Sequence, residues 1–302
     1  MTMPASGPIS FSQLQTEFGG TNPIGLNEYY SGGVNIPASG TGIGIPASGA
    51  LSMSMFYGKT DIVPGNSGVI TSGSSYTLPL NAGPSINVLV VGGGGGGGGG
   101  SNRRTNAGYI TGGGGGGGGA APYVLNIPVT PGQVVTFSIG GGGGAGGKRD
   151  GVYTGGSNGG RGGSTIFYVN GAAKAQATGG YGGAVSPNQT AGVSGEVILG
   201  RFVTGFPANN GLGAVLNTSI GGFGARGFNI NTTVGVTAPN GLLTYGVFGT
   251  AGGPGSGIPC VPGTGHGGGG TGGGTAQGDE QNSRNADASA GRGGAIFIWW
   301  GY

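Results

Sequence analysis

The chain has 302 residues, of which 85 are glycine and only 6% are charged. The glycines stand in unbroken runs rather than at every third position, which excludes collagen, and the 11 phenylalanines, 11 tyrosines and two tryptophans argue against a fully disordered chain. The 11 basic and 8 acidic side chains are thinly scattered and give a formal charge of +3, so the sequence lacks the basic patch of a nucleic-acid-binding protein.

The amino-terminal residues predict a module of short helices. In "SFSQLQTEFGG", Ser10 and Gln13 have the spacing of a capping box, Phe11, Leu14 and Phe18 share one helical face, and Gly19 can end the helix in the left-handed conformation. "NPIGLNEYYSGG" and "ALSMSMFYGKT" likewise begin near a small polar residue, carry Leu, Met, Phe or Tyr at helical spacing and end at glycine. The start, "MTMPASGPIS", lacks the pattern of a secretory signal, and no run of 18 apolar residues predicts membrane insertion.

Helices this short are marginal alone in water, so their apolar faces are expected to press against another copy or another protein. Residues 1–62 are therefore interpreted as a docking module, and a small helical cap on the core of the same chain is the alternative. The side chains expected to dock are Phe11, Leu14, Phe18, Leu26, Tyr29, Tyr30, Met55, Phe56 and Tyr57.

From residue 63 to residue 302 the sequence alternates between strands and glycine tracts. The predicted strands lie in "GVITSGSSYTLPL", "SINVLVV", "YVLNIPVTPGQVVTFSI", "STIFYVNGAAKAQAT" and "GAIFIWWGY". Pro131-Gly132 and Asn170-Gly171 predict hairpin turns. The strands are expected to form a small β-layer.

The glycine tracts between these strands predict a bundle of polyglycine II helices. Such a left-handed helix has no internal hydrogen bonds, so its backbone groups need partners, and glycine alone lets backbones approach closely enough to supply them. The tracts lie at residues 92–100, 112–119, 140–147, 155–163, 179–183, 221–227, 249–257, 263–274 and 291–294. The expected fold class is mainly β plus a polyglycine II sandwich, with display loops at one end.

If the tracts alternate in direction, the segments 101–111, 148–154, 184–220, 228–248 and 275–290 lie opposite the β-layer. Aromatic and arginine side chains on loops over a rigid scaffold are typical of recognition surfaces. The candidates for receptor binding are Arg103, Arg104, Tyr109, Arg149, Tyr153, Phe202, Phe206, Phe228, Tyr245 and Phe248.

Two parts of the sequence resemble bacteriophage proteins. Ile9 to Gly20, "NP", "EYY" and Leu51 to Gly58 resemble a segment that recurs at the amino terminus of phage virion proteins. "VLVVGGGGGGGGG", "VTPGQVVTFSIGGGGGAGG" and "RGGAIFIWW" resemble the receptor-binding tips of tail fibres in T-even-type phages. The second resemblance implies a polyglycine II sandwich whose far end binds a host receptor.

The sequence gives no support for an enzyme, a cofactor or a metal site. "GGGGAGGKR" approaches a phosphate-binding loop, but Arg149 stands where a magnesium-binding Ser or Thr is needed. Ser157, Glu196 and His266 follow the order of a hydrolase triad, yet glycines replace the helix that should follow the nucleophile. The lone Cys260 cannot form a disulfide within the chain.

The leading interpretation is therefore a virion tail fibre or tail-tip protein, assembled in the host cytoplasm. It would dock to other virion proteins through residues 1–62, bind a host polysaccharide or outer-membrane protein through its loops, and form a homotrimer by analogy with other fibres. The main alternative is a purely structural tail or capsid decoration protein. Ice binding is a third class, against which the long aromatic-bearing loops argue.

Overall fold

The computed structural model describes residues 3–33, 35–36, 44–59, 65–100, 113–147, 156–185, 192–202, 210–211, 224–230, 243–247, 263–270 and 288–301. Within these residues the chain is mainly β, as the sequence predicts, with one α-helix near the amino terminus. The strands are β1 (Gly65–Ile70), β2 (Ser75–Thr77), β3 (Ser85–Val91), β4 (Pro122–Pro128), β5 (Val134–Ser138), β6 (Thr165–Val169), β7 (Ala172–Ala177), β8 (Val197–Leu199), β9 (Arg201–Phe202), β10 (Phe228–Ile230), β11 (Leu243–Tyr245) and β12 (Ala295–Trp300).

The predicted first helix is α1, Phe11–Phe18, and 3₁₀ turns follow at Leu26–Tyr29 and Met53–Phe56. The capping box forms, because the Ser10 hydroxyl accepts the Gln13 N–H and the Gln13 side chain accepts the Ser10 N–H. Gly19 ends the helix with φ 80° and ψ −165°, which is not the left-handed helical conformation that we expected.

The apolar faces of the amino-terminal module pack against one another. A cluster of buried side chains contains Met3, Leu14, Phe18, Tyr29, Ile36, Ile45 and Phe56. The rings of Phe18, Tyr29 and Phe56 lie 6.0–6.4 Å apart, and the Tyr29 hydroxyl donates to the Gly19 carbonyl. The short helices are therefore stabilised within residues 3–56, which corrects the expectation that these faces need another chain. The division of the chain at residue 62 stays a prediction.

The later strands form two five-stranded antiparallel sheets rather than one layer. The first sheet has the order β1-β12-β3-β4-β9, and the second has the order β2-β5-β6-β7-β8. A continuous core includes Val88 and Ile298 of the first sheet together with Phe137 and Phe167 of the second, so the two sheets pack face to face. Two tightly paired strands, β10 and β11, form a separate ladder.

The central strands of the first sheet, β3 and β12, are buried on their other face as well. Leu89, Phe297 and Trp299 point away from the second sheet and pack with Phe228 of β10. Every residue of β12 is buried, which explains why its sequence, AIFIWW, is continuously apolar rather than alternating.

The two predicted hairpins have different outcomes. Asn170 and Gly171 join β6 to β7 with φ of 52° and 74°, as a two-residue turn requires, so this hairpin is confirmed. The hairpin at Pro131-Gly132 is wrong, because β4 pairs with β3 and β9 whereas β5 pairs with β2 and β6. That connection instead carries the chain from one sheet to the other.

Candidate functional site

Glycine-rich segments continue directly from the strands and are joined to one another by backbone hydrogen bonds. We call this set the glycine array. Its members are residues 92–99, 113–120, 140–147, 157–163, 178–184, 192–195, 267–270 and 289–294.

The segment 92–99 lies at the centre of the array, and each of its residues donates its N–H to another segment. Gly92, Gly95 and Gly98 donate to residues 120, 117 and 114 at 2.8–2.9 Å. Gly93, Gly96 and Gly99 donate to residues 163, 160 and 157, and Gly94 and Gly97 donate to residues 292 and 289. Because the partner changes with a period of three, three neighbouring segments surround the central one on its donor sides.

Three other segments donate to the central one. Gly143 and Gly146 reach the carbonyls of Gly94 and Gly97, both at 2.8 Å. Gly180 and Gly183 donate to the carbonyls of Gly93 and Gly96, both at 2.9 Å. Gly270 donates to the carbonyl of Gly95 at 2.7 Å. Six neighbours thus satisfy the backbone of a buried segment that has no side chains, in a region where an unpaired amide would be costly.

The close spacing leaves no room for side chains inside the array. A Cβ placed on Gly96 would lie 1.9 Å from the carbonyl oxygen of Gly144, and one on Gly95 would lie 2.1 Å from that of Tyr181. In contrast, Gly141 and Gly144 face outward, and a Cβ on either would meet nothing within 4 Å. Inside the array only glycine fits, because the neighbouring backbones lie too close for a Cβ.

Thr165 joins the array to the sheets. Its fully buried hydroxyl donates to the carbonyl of Val91 at 2.7 Å and accepts the N–H of Gly140 at 3.0 Å. One side chain therefore satisfies the backbone at two points where strands become array segments, after β3 and after β5.

The hydrogen-bond register gives the array two distinct ends. At the proximal end, residues 92, 120, 140, 178 and 294 adjoin the strands. At the distal end, Gly98 pairs with Gly114, Gly99 with Ser157, and Gly97 with Ser289 and Gly146. The sequence connections 101–112, 148–155 and 186–191 start and finish at described residues towards this distal end. The connection 271–287 starts at Gly270, which bonds to Gly95 and Gly116 in the middle of the array, and finishes beside Ser289 at the distal end.

Most of the predicted receptor-binding residues fall outside the part of the chain that the structure describes. This applies to Arg103, Arg104, Tyr109, Arg149, Tyr153, Phe206 and Phe248. They stay predictions.

Three of the predicted receptor-binding residues lie beside the sheets instead. Phe228 is fully buried, and its ring lies 5.6 Å from that of half-buried Tyr245, so both belong to the core beside the first sheet. Phe202 lies in β9, which pairs with β4. The expectation that residues 184–220 and 228–248 lie opposite the β-layer is therefore wrong for residues 197–202, 228–230 and 243–245, whereas Ala184 bonds to Gly114 at the distal end of the array.

The predicted docking residues divide by exposure. Leu14, Phe18, Tyr29 and Phe56 form the module's own core and are unavailable to a partner. Burial and the neighbouring Glu28 raise the pKa of the Tyr29 phenol. The remaining candidates reach the surface: Phe11 and Tyr57 are exposed, and Leu26, Tyr30 and Met55 are half-buried.

The hydrolase-like residues do not come together. Ser157 lies at the distal end, where its hydroxyl accepts the N–H of Gly147. His266 lies at the proximal end, bonded through its backbone to Phe228, and the pKa of its half-buried imidazole is lowered by burial and by the charge of Arg292. Glu196 precedes β8 beside the sheets, with its N–H donating to Thr178. These three residues therefore lie in different regions and do not form a hydrolase triad.

Comparisons with known proteins identify no family. No family model matches the chain, and no curated protein matches it significantly. Among the described residues, no helix is long and apolar enough to cross a membrane. In the same residues, no group of three or more His, Cys, Asp or Glu side chains has the arrangement of a metal site.

Proposed function

We propose that this chain is a bacteriophage tail fibre or tail-tip protein whose glycine array is a bundle of polyglycine II helices. The period of three in the hydrogen bonds of segment 92–99 supports the helix type, since a polyglycine II helix has three residues per turn. At about 3.1 Å per residue, an eight-residue segment would be about 25 Å long. The array would then hold its distal end well away from the sheets.

The observation that carries the functional proposal is that described residues flanking four chain connections lie at or towards the distal end of the array. A backbone-bonded array with no side chains inside has little freedom to rearrange, so it suits a rigid support for variable connections. The connections 101–112 and 148–155 contain Arg103, Arg104, Tyr109, Arg149 and Tyr153, which we expect to contact a host receptor, and 271–287 adds the charged Asp279, Glu280 and Arg284. The receptor would be a surface polysaccharide or an outer-membrane protein.

Attachment to the virion would use the amino-terminal module. Because four of the predicted docking side chains are internal, contact with a neighbouring virion protein would involve the exposed rings of Phe11 and Tyr57 and the half-buried Leu26, Tyr30 and Met55. A homotrimer is part of this proposal by analogy with symmetric fibre proteins.

The decisive experiment tests whether the purified chain blocks phage adsorption to host cells. In the test variant, residues 101–112, 148–155 and 271–287 are replaced by Gly-Ser sequences of equal length. The control variant changes exposed Leu80 and Val134, 79% and 54% exposed beside the sheets, to serine. We expect the native chain and the control to block adsorption, and the test variant to lose this effect while keeping its thermal unfolding midpoint.

Two results would contradict the proposal in different ways. If the folded native chain neither binds cells nor blocks adsorption, a structural role in the virion becomes the better explanation. If the test variant blocks as well as the control, receptor binding lies elsewhere on the chain.

A further inference from the structure

One side of the glycine array displays side chains in ordered rows, and none of the sequence arguments assigned it a role. Segments 157–163, 178–184 and 192–195 lie next to one another there: Gly162 donates to Gly180 at 2.9 Å, and Tyr181 donates to Val193 at 2.8 Å. We call this side the array flank. Its outward positions hold Asn158, Arg161, Ser164, Tyr181, Ala184, Val193 and Glu196.

The rows follow from the packing of the array. A Cβ on Gly162, Gly180 or Gly183 would lie 1.9–2.2 Å from a carbonyl oxygen of another segment, so these positions admit only glycine. Every third residue of each segment escapes this restriction, and apart from buried Thr178 these residues reach the surface. Packing thus dictates where side chains stand on the flank, but it does not require an arginine or a tyrosine at those places.

Arg161 and Tyr181 form the centre of the flank. The guanidinium carbon of Arg161 lies 4.1 Å from the centroid of the Tyr181 ring, which fits a cation–π contact between adjacent segments. Both side chains are exposed, Tyr181 at 43%, and Val193 on the next segment is 57% exposed. An exposed aromatic ring with an aliphatic neighbour is a surface that an apolar or partly apolar ligand face can cover.

Arg161 has an unmet capacity for anion binding. Among the residues that the structure describes, its guanidinium contacts the tyrosine ring and makes no hydrogen bond or ion pair. Stacking restricts the plane of the guanidinium, so less side-chain freedom is lost when its paired N–H groups meet a carboxylate.

The other outward side chains differ in character. The Asn158 amide oxygen accepts the Val185 N–H, which leaves its NH₂ group to donate, and Ser164 supplies an exposed hydroxyl. Ala184 is apolar, and the exposed Glu196 carboxylate follows Val193 by three residues, towards the sheets.

We propose that the array flank binds a carboxylated polysaccharide. Arg161 pairs with a sugar carboxylate, the Tyr181 and Val193 side chains cover the C–H surface of a sugar ring, and Asn158 and Ser164 bond sugar hydroxyls. The positive charge of Arg161 favours an acidic chain over a neutral one. The row from Asn158 to Ser164, about 19 Å long at 3.1 Å per residue, suits an extended polymer better than a compact ligand.

This site is separate from the distal connections of the proposed function. A chain that fails to block adsorption can still bind an acidic polysaccharide on its flank, and the reverse also holds. Receptor binding at the distal connections and polysaccharide binding on the array flank are therefore tested by different measurements.

The test measures retardation of the full chain in native gels that contain polygalacturonate, with dextran as the neutral polymer. Arg161→Gln and Tyr181→Ala are the test variants, and Lys174→Gln is the control, because it removes an equal charge from an exposed position on β7. We expect polygalacturonate but not dextran to retard the native chain. Arg161→Gln should weaken the apparent affinity about tenfold, as expected for one charge-assisted contact, while Lys174→Gln leaves it nearly unchanged.

The Arg161→Lys variant separates stacked recognition from simple charge attraction. It keeps the charge but loses the planar fork, so we expect it to bind more weakly than the native chain. Thermal unfolding of each variant establishes that the array is intact, and outward side chains of the flank should change the midpoint little. Absence of retardation of the native chain, equal retardation by dextran, or equal weakening by Arg161→Gln and Lys174→Gln would overturn the proposal.

Discussion

At the scale of single residues, the array separates two reasons for glycine that a sequence alone merges. Gly96 and Gly144 belong to adjacent segments and neither has the positive φ that favours glycine. A Cβ on Gly96 would overlap the Gly144 carbonyl oxygen, whereas a Cβ on Gly144 would point into open space. Glycine is thus obligatory at one of these positions and replaceable at the other.

We predict that Gly96→Ala destabilises the chain strongly and that Gly144→Ala does not. The first change forces the central segment away from a neighbour, which we expect to cost about 3 kcal/mol or more. The second restricts the unfolded chain without disturbing the array, and should be neutral or stabilising by about 0.5 kcal/mol. Urea unfolding followed by circular dichroism measures both free energies.

The pair also tests the arrangement of the array itself. Equal destabilisation by the two substitutions would contradict the description of Gly144 as outward-facing. Equal tolerance would show that segment 92–99 is not enclosed by its six neighbours.

At the scale of elements, the important contact is the one by which strands become array segments. The Thr165 hydroxyl bonds the backbone after β3 and after β5, and valine has nearly the same shape without the hydroxyl. Thr165→Val should therefore leave a buried carbonyl and a buried N–H without this partner, at a cost of about 2–4 kcal/mol in the free energy of unfolding.

Thr136→Val is the matched control for this prediction. Thr136 lies on β5 with an exposed side chain, so the same chemical change should alter stability by less than about 0.5 kcal/mol. Chemical denaturation of both variants gives the comparison. A loss at Thr165 no larger than that at Thr136 would show that the hydroxyl does not hold the two segments.

The strands differ in how well their sequences predict them. β12 is a continuous run of large apolar residues and β3 is mostly apolar, and both lie next to glycine, so both were predicted as strands. Runs of this kind suit a sheet that is buried on both faces, as β3 and β12 are. β8, β9, β10 and β11 have two or three residues each, too few for periodicity to register. The sheet to which β4 and β5 belong depends on long-range pairing, which a turn signal at Pro131-Gly132 does not encode.

At the scale of the whole molecule, the sequence predicted the helices, strands and glycine segments better than it predicted which of them pack together. The capping box of α1 was readable because it is local, whereas the enclosure of Leu14 and Phe56 depends on contacts between distant turns. Phe228 was assigned to a display loop because the alternation of the glycine tracts placed residues 228–248 opposite the β-layer, but its ring packs against the first sheet. The flank pair Arg161 and Tyr181 was overlooked, although their spacing of three from Asn158 and Ala184 was visible in the sequence.

The enclosed core of the amino-terminal module predicts that its stability is separable from that of the glycine array. Phe56 is fully buried against Phe18 and Tyr29, so Phe56→Ala should cost the module about 3 kcal/mol or more through the cavity it leaves. Hydrogen exchange followed by mass spectrometry should then show faster exchange in α1 and unchanged protection in residues 92–99. Faster exchange in both regions would mean that the module and the array unfold as one cooperative unit, because a cavity in one part would then lower the stability of the whole.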